Sequence, residues 1–330
     1  MTSAGAPQIR RSNNGWENTL QRILTRGEIE SLDHTLIPRV RLPQRSAVYA
    51  DRARRFRSLA PDSAMTAYLL MMAAVAEAQN QIVNDSRFVV PAIDPDRLEM
   101  AQAHGMPPVQ AVGWPRDAVW RRMLEGVLLQ VASAAETPDT AANVCRSLVQ
   151  TLQRSPDTIE EQADAVLAGF DNVDPAVAPF IMAGLQAYWT KMAVQLGENQ
   201  LPVVSPFGVC PVCGTLPVSS IVRIGAQIDG CRYLGCALCA TEWHLVRVTC
   251  SHCQDTEKIW FHSIEGGTPG IKAESCGKCR VYRKIFYQEK DPWVDAVADD
   301  LATLTLDIMM GEQGFSRASR NPMLWHYGGS

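Results

Sequence analysis

The stretch CALCATEWHLVRVTCSHC, from Cys236 to Cys253, contains two Cys-x-x-Cys pairs within eighteen residues. Two more pairs flank it, CPVC beginning at Cys210 and CGKC beginning at Cys276. Two residues between cysteines allow a tight turn to present both sulfurs to one ion, and a second such turn completes a tetrahedron of ligands. We therefore expect this part of the chain to fold around bound metal rather than around free thiols or disulfide hairpins.

The four pairs form an internal repeat with an offset of forty residues. The gap of twenty-two residues between pairs is the same in both copies, which favours two ribbons that each close one site. The metal ligands that we predict are Cys210, Cys213, Cys236 and Cys239 for one ion and Cys250, Cys253, Cys276 and Cys279 for the other. A cross-braced alternative, in which Cys210 and Cys213 share an ion with Cys250 and Cys253, stays open at this point.

The predicted sites have only sulfur ligands and no position open to water. Hydrolysis through a Lewis-acidic metal is therefore disfavoured, and the sites should either stabilise the fold or carry electrons. The turn CPVCG, Cys210–Gly214, has the proline and glycine of rubredoxin-type iron sites and is equally typical of a zinc-ribbon turn. We expect two metal ions per chain, and these residues leave iron and zinc open.

Other candidate residues are weaker. Cys231 has Ile271 at the equivalent place in the second copy, so we expect a packed or spare thiol there. Cys145 lies in a predicted helix and is most simply a small core residue. His252 corresponds to Val212 and is expected at the surface. No Ser-His-Asp order, phosphate-binding glycine loop or isolated carboxylate pair stands out, so we do not expect an enzyme.

Composition shifts along the chain predict a multi-domain α+β protein. An N-terminal all-α helical domain is followed by tandem rubredoxin-like or zinc-ribbon small β subdomains and a C-terminal helix. The predicted divisions are an arginine-rich arm with short helices (1–60), a helical domain (61–200), a first metal ribbon (201–249), a second metal ribbon (250–290), and a C-terminal helix and tail (291–330). Because a ribbon of forty residues cannot bury a core of useful size, we expect metal to stabilise the ribbons and not the helices.

Apolar periodicity and helix-breaking residues predict the elements within these divisions. Helices are expected near residues 16–25, 47–59, 62–83, 117–134, 140–153, 156–168 and 176–196. Short β-type runs such as SSIVRI, WHLVRV, KIWFHSI and VYRKIFY follow Leu201. The prolines between Ala92 and Pro115 predict a loop. One helix is expected from Pro292 to Met310, packed back on one of the two domains.

Charge is unevenly distributed, although the net charge is only −4. Residues 1–60 hold eleven arginines and five acids, which predicts either an arm docked on the acidic helical domain or a contact surface for an acidic partner. The longest apolar run, Ala64–Ala76, is too short to span a bilayer, and the cysteine content is far below that of a secreted disulfide scaffold. We expect a cytoplasmic protein with no stable membrane insertion.

The helical first part followed by CPVCG, GCALCATEWHLVRVTCSHC and ESCGKC resembles the formate dehydrogenase accessory protein FdhE family. The resemblance covers nearly the whole chain and is most specific between Pro206 and Tyr287. It implies a tandem rubredoxin-like region with bound metal, iron being favoured over zinc. It also implies a cytoplasmic assembly factor that contacts the catalytic subunit of respiratory formate dehydrogenase before that enzyme is exported. The later three Cys-x-x-Cys pairs lack the proline and glycine of the first.

Two other function classes stay open. A rubredoxin-like electron-transfer protein is one, although such a carrier does not need a large helical domain. A zinc-ribbon nucleic-acid-binding protein is the other, but residues 201–330 hold twelve basic and thirteen acidic residues, whereas a nucleic-acid-binding ribbon is expected to be strongly basic. We therefore expect no nucleic-acid partner, and a homodimer is left open.

Overall fold

The computed structural model describes residues 8–12, 37–61, 63–169, 173–204, 208–225 and 229–325. Within these ranges the protein combines a helical N-terminal part with a strand-rich C-terminal part, as the sequence predicts. The helix expected near residues 16–25 lies outside the described residues, and so does Asp62 at the start of the helix expected near 62–83. None of the described helices is long and apolar enough to cross a membrane.

Seven helices precede the cysteine-rich region in the described part of the chain. Their bounds are α1 Val48–Leu59, α2 Thr66–Asn84, α3 Pro95–His104, α4 Val119–Ser133, α5 Asp139–Arg154, α6 Pro156–Ala168 and α7 Ala178–Ala193. All except α3 lie within a few residues of the predicted positions. Helix α7 is buried along its whole length, and α2, α4 and α6 pack against it. The apolar faces of these helices form the main core of the protein.

Helix α3 lies where the prolines predicted a loop, so that prediction was wrong. The Asp94 side chain accepts a hydrogen bond from the backbone amide of Asp96 at 3.0 Å and caps the helix. Pro95 occupies the first turn, where its missing N–H has no helical partner to lose. Gly105 ends the helix in the left-handed conformation, with φ of 62°. The prolines mark the ends of a short helix rather than the absence of one.

The described strands form one sheet. Their bounds are β1 Ile9–Ser12, β2 Val40–Arg41, β3 Pro217–Arg223, β4 Cys231–Cys236, β5 Glu242–His244, β6 Ile259–Ile264, β7 Ile271–Cys276, β8 Val281–Tyr287 and β9 Ser316–Arg317. The order is β1-β6-β7-β8-β3-β4-β5-β2, with β9 beside β8. Each copy of the sequence repeat is an antiparallel meander, β3-β4-β5 or β6-β7-β8.

A parallel pairing between β3 and β8 joins the two meanders. Ser220 lies beside Ile285 and Val222 beside Tyr287 in this pairing. Each repeat copy therefore has its own meander, but the two copies share a single sheet instead of standing apart as separate ribbons. A pattern of short β-type runs cannot predict this, because the joining strands are far apart in the chain.

The C-terminal segment contains two short helices instead of the single helix predicted over Pro292–Met310. Helix α8 spans Ala298–Ala302 and helix α9 spans Leu304–Glu312. The buried Lys284 ammonium group donates hydrogen bonds to the carbonyl oxygens of Asp300 and Thr303, at 2.7 and 3.0 Å. These bonds interrupt the helical hydrogen bonding between α8 and α9. The segment does pack back on the protein, since Leu301 belongs to the main core and Leu306 packs against the second meander.

The described parts of the arginine-rich N-terminal arm contact both parts of the protein. Helix α1 packs against α2 of the helical domain, where Arg57 forms ion pairs with Glu77 and Glu136. Strand β1 pairs antiparallel with β6, and the Arg11 guanidinium lies 3.8 Å from the centre of the Trp260 ring. In α1, Arg52 and Arg55 form ion pairs with Asp295 and Asp299 of the C-terminal segment. These two arginines therefore bind acidic residues near the other end of the chain.

Candidate metal centres

The eight predicted cysteines meet in two groups of four sulfurs, and within each group all sulfurs lie within 4.8 Å of one another. We call Cys210, Cys213, Cys236 and Cys239 the first centre and Cys250, Cys253, Cys276 and Cys279 the second centre. These are the sets of sequential pairing, and the structure does not bring the sulfurs together in the cross-braced arrangement.

The sulfur spacing fits a tetrahedral ion. A metal–sulfur bond of ~2.3 Å places the sulfurs of a tetrahedron about 3.8 Å apart. In the first centre, the Cys210–Cys239 and Cys213–Cys236 sulfurs are 3.6 and 3.4 Å apart. In the second, the Cys250–Cys279 and Cys253–Cys276 sulfurs are 3.7 and 3.6 Å apart. Each group could hold one metal ion, and two ions would fill both.

All four Cys-x-x-Cys turns have the same backbone form. The residue that follows the second cysteine of each pair is left-handed, with φ of 74° at Gly214, 59° at Ala240, 66° at Gln254 and 60° at Arg280. A left-handed residue at this place reverses the chain so that the turn can close around the sulfurs. The last three turns lack the glycine but keep the conformation, so the four turns are structurally equivalent despite their different sequences.

Backbone amides point at the first sulfur of several turns. The amides of Leu238 and Cys239 donate to the Cys236 sulfur at 3.3 Å. In the second centre, the amides of His252 and Cys253 donate to the Cys250 sulfur at 3.4 Å. Such donors offset the negative charge of a thiolate, and they are the hydrogen bonds that tune sulfur-bound metals.

The first centre also has hydroxyl partners that sequence reasoning missed. The Thr215 hydroxyl lies 3.0 Å from the Cys213 sulfur and 3.1 Å from the Cys236 sulfur. The Thr241 hydroxyl lies 3.1 Å from the Cys239 sulfur. Both threonines stand two residues after a cysteine pair, in CPVCGT and CALCAT, whereas the second copy has Asp255 and Val281 there. Comparing these positions between the copies could have found them.

Burial acts strongly on the thiols of the first centre. It raises the pKa of Cys210 well above its ordinary range, and it raises the pKa of Cys239 in the same way. Burial also opposes ionisation of Cys236, but hydrogen bonds from the neighbouring thiols and from Thr215 outweigh it and lower the pKa of that sulfur. Four buried thiols cannot all ionise without a cation, so the donor set suits a metal ion that displaces the protons.

The second centre is more open than the first. All four cysteines of the first centre are buried, while Cys253 and Cys279 are only half-buried. The buried Arg283 guanidinium donates to the Ser251 hydroxyl at 2.8 Å, inside the turn between Cys250 and Cys253. Exposed Lys278 lies in the other turn and is 3.9 Å from the Asp255 carboxylate.

The remaining candidate residues lie outside both centres. Neither Cys145 nor Cys231 belongs to a metal-like cluster in the described ranges. Burial raises the pKa of the Cys145 thiol to about 12, so it stays protonated as a core residue of α5. His252 is exposed between Cys250 and Cys253, and its backbone amide donates to the Cys250 sulfur.

The matches between this chain and known proteins cover most of the residues that the structure describes. Family models match in three consecutive parts: FdhE, N-terminal, at residues 37–205; the FdhE central domain at 209–247; and the FdhE C-terminal domain at 248–324. "Protein FdhE" from Salmonella typhimurium is 39% identical over 302 residues, 91% of this chain and 95% of that protein. "Protein FdhE homolog" from Citrobacter koseri is 38% identical over 310 residues, 92% of this chain and 97% of that protein.

A solved structure also matches. The crystal structure of the FdhE protein from Pseudomonas aeruginosa has a TM-score of 0.74 and 33% sequence identity, and the match covers 88% of this chain and 100% of that one. Sequence identity, family models and fold agree along most of the described residues. The chain therefore belongs to the FdhE family.

Proposed function

We propose that the chain is an accessory factor for the formation of active respiratory formate dehydrogenase, and that it acts in the cytoplasm by binding the catalytic subunit before export. The observation that supports this most strongly is membership of the FdhE family across all three of its domains, with both sulfur clusters complete. The proposed role is one of assembly and not of catalysis, because closed sulfur sites leave no position for a substrate.

Each centre binds one metal ion in this proposal. The eight cysteines named above are the ligands, and iron is favoured over zinc on the family resemblance. The support from the structure is the tetrahedral sulfur spacing, together with the N–H donors aimed at Cys236 and Cys250. When bound, such an ion would either cross-link the two cysteine turns of its ribbon or pass single electrons. We also propose that the chain is divided into the arm, the helical domain, the two ribbons and the C-terminal segment.

Genetic complementation tests the role. The gene is deleted, and the deletion is complemented with the wild-type chain, with Cys236→Ser/Cys239→Ser, or with Cys276→Ser/Cys279→Ser. We expect formate oxidation to be lost in the deletion strain and in both double variants, while blots still detect the catalytic subunit. Cys145→Ala is the matched control, because Cys145 is a buried cysteine outside both centres, and it should restore activity.

The outcomes separate the parts of the proposal. Full formate oxidation in the deletion strain would contradict the accessory role. Restored activity with both double variants would keep the role but make the metal centres dispensable. Capture of nucleic acid instead of a dehydrogenase subunit, in a pull-down from native lysate, would favour the nucleic-acid-binding alternative.

Electron transfer is the second candidate function. The observation that favours it is the partial exposure of Cys253 and Cys279, since an exposed ligand edge allows a redox partner to approach the ion. Reversible reduction of an iron-loaded second centre would support this function, and its visible absorption measures the reduction. An iron-loaded protein that neither accepts nor releases electrons would exclude it.

A further inference from the structure

The two centres differ in how far solvent reaches their sulfurs. Three cysteines of the first centre are 0% exposed and Cys236 is 3% exposed. In the second centre Cys250 and Cys276 are buried, but Cys253 and Cys279 are half-buried and form an accessible edge of the cluster. A ligand that competes for the metal must reach a sulfur–metal bond, so this edge offers it a route.

The helical part of the protein clamps the turns of the first centre. The amide of Val109 donates to the Val212 carbonyl at 3.1 Å, and the amide of Ala111 donates to the Cys213 carbonyl at 2.9 Å. On the other turn, the Gln186 side chain of α7 donates to the Ala237 carbonyl at 2.8 Å. Opening the first turn therefore breaks contacts with the segment between α3 and α4, and opening the second breaks a contact with α7.

The hydrophobic surroundings of the two centres differ in the same sense. The four cysteines of the first centre belong to the main core, which also contains Trp120, Trp189 and Tyr49. The second centre lies in a separate small cluster, whose buried hydrophobic members besides Cys250 and Cys276 are Val222, Ile259, Phe261 and Ile285. Local opening is easier where few buried apolar contacts must be broken.

A cleft of about 670 Å³ between α1 and the sheet has Cys236 in its wall. It does not remove the difference between the centres, because Cys236 is 3% exposed and the other three cysteines of its centre are fully buried and do not line the cleft. A competing ligand in this cleft could therefore approach only the Cys236 sulfur, and only at the small exposed edge of that residue. The second centre presents two half-buried cysteines instead of one buried cysteine.

We propose that the second centre exchanges its metal with solution through the Cys253–Cys279 edge, while the first centre retains its metal as part of the helical core. At this edge, thiophilic metal ions can exchange with the bound ion, and small nitrogen or thiol chelators can compete with the cysteines for it. When a chelator removes the ion, its donor atoms replace the four sulfurs and the freed thiolates take protons from water. This inference rests on the metal binding that the proposed function includes.

Metal release from the full-length protein tests the difference. The chain is loaded with two zinc equivalents, and a colorimetric chelator in excess reports zinc release. We expect two phases of equal amplitude whose rates differ by about tenfold or more, because opening energies differ widely between the small cluster and the main core. Iodoacetamide added during the fast phase, followed by mass spectrometry, should label Cys253 and Cys279 before any cysteine of the first centre.

Variants assign the phases independently. Cys279→Ser should abolish the fast phase and leave one slowly released equivalent, and Cys239→Ser should remove the slow phase. If Cys239→Ser does not fold, labelling of the wild-type chain decides the question. Equal release rates, or early labelling of Cys210 or Cys213, would overturn the inference. Recovery of less than one zinc per chain would instead count against metal binding itself.

Discussion

At the scale of single residues, the turns of both centres depend on backbone conformations that most residues avoid. A left-handed residue with a Cβ costs roughly 1–2 kcal/mol relative to glycine. Ala240, Gln254 and Arg280 nevertheless adopt this conformation, as Gly214 does. The closed sulfur cluster must hold them there, because the local sequence does not favour it. A sequence pattern that demands glycine after each pair would therefore miss three of these four turns.

Gly214→Ala should destabilise the protein by about 1–2 kcal/mol, since its φ of +74° disfavours a Cβ and the new Cβ would lie 3.3 Å from Pro107 Cγ. Gly311→Ala is the matched control. A Cβ there meets nothing within 4 Å, and the site lies in α9, so alanine should stabilise by about 0.5 kcal/mol. Urea unfolding measures both changes, and equal effects of the two substitutions would contradict the assignment.

The His262 ring should stay neutral at pH values well below the ordinary pKa of histidine. Burial, together with the charge of Arg11, lowers its pKa to about 4, while its Nε2 lies 2.8 Å from the Ser275 hydroxyl. Because the pKa is lower in the folded state, the stabilisation is fully present above pH ~6.5 and is lost as the pH falls towards 4. The shift corresponds to about 3 kcal/mol.

Titration of the His262 ring by NMR measures this pKa directly, and the chain unfolded in urea gives the reference. Phe315 packs against the imidazole, with ring centres 5.6 Å apart. Phe315→Ala should therefore admit water and move the His262 pKa back towards its ordinary value. A folded-state midpoint above pH ~6 in the wild-type protein would show that the ring is not protected.

At the scale of elements, the sheet depends on a buried ion pair between the two meanders. Arg232 of β4 and Glu274 of β7 are both buried, and their side chains approach to 2.8 Å. Arg232 also donates to the Ser220 hydroxyl and to the Thr249 carbonyl. Burial raises the pKa of Glu274 even though the neighbouring arginine opposes this. The pair fixes how the two meanders meet, at a cost in desolvation.

Glu274→Ala should destabilise the protein by about 3–5 kcal/mol, because it leaves the Arg232 guanidinium buried without its carboxylate. Glu289→Ala is the control, since Glu289 and Lys290 form an exposed pair at 3.3 Å that should contribute less than about 1 kcal/mol. The double variant Arg232→Met/Glu274→Leu should recover most of the loss. Urea unfolding reports all three, and a small effect of Glu274→Ala would mean that water replaces the carboxylate.

At the scale of the whole molecule, the first centre and the helices form one core. The cysteines of this centre lie in the same hydrophobic cluster as residues of α2, α4 and α7. The C-terminal segment adds to this unit, since Tyr68 of α2 donates to the Met323 carbonyl and Val297 and Leu301 lie in the same core. The expectation that metal stabilises the ribbons but not the helices is therefore revised for the first centre.

Cys213→Ser should destabilise the helices as well as the ribbon, by about 3 kcal/mol or more, because a damaged first centre lies inside the shared core. Cys253→Ser should change the helical stability by less than about 1 kcal/mol, because the second centre lies in its own small cluster. Thermal melts followed by helical circular dichroism compare the two. Similar melts for both variants would mean that the whole chain unfolds as one unit with both centres.

The local features follow from the sequence alone. The spacing predicts the eight clustered cysteines, and the fixed repeat favours the grouping into two sets of four that the structure shows. Among the described residues before the cysteine-rich region, six of the seven helices follow from apolar periodicity, which depends on neighbours along the chain. The resemblance of the cysteine motifs to the FdhE family also came from the sequence.

The relations between distant residues emerge only when the chain folds. The parallel pairing of β3 with β8, the Arg232–Glu274 contact and the clamp of Gln186 on Ala237 each join parts of the chain that no periodicity links. The same is true of the difference in burial between the two centres, whose sequence patterns are nearly alike. Spacing fixes which atoms can bind one ion, whereas burial depends on which elements pack above them, and that is settled only when the whole chain folds.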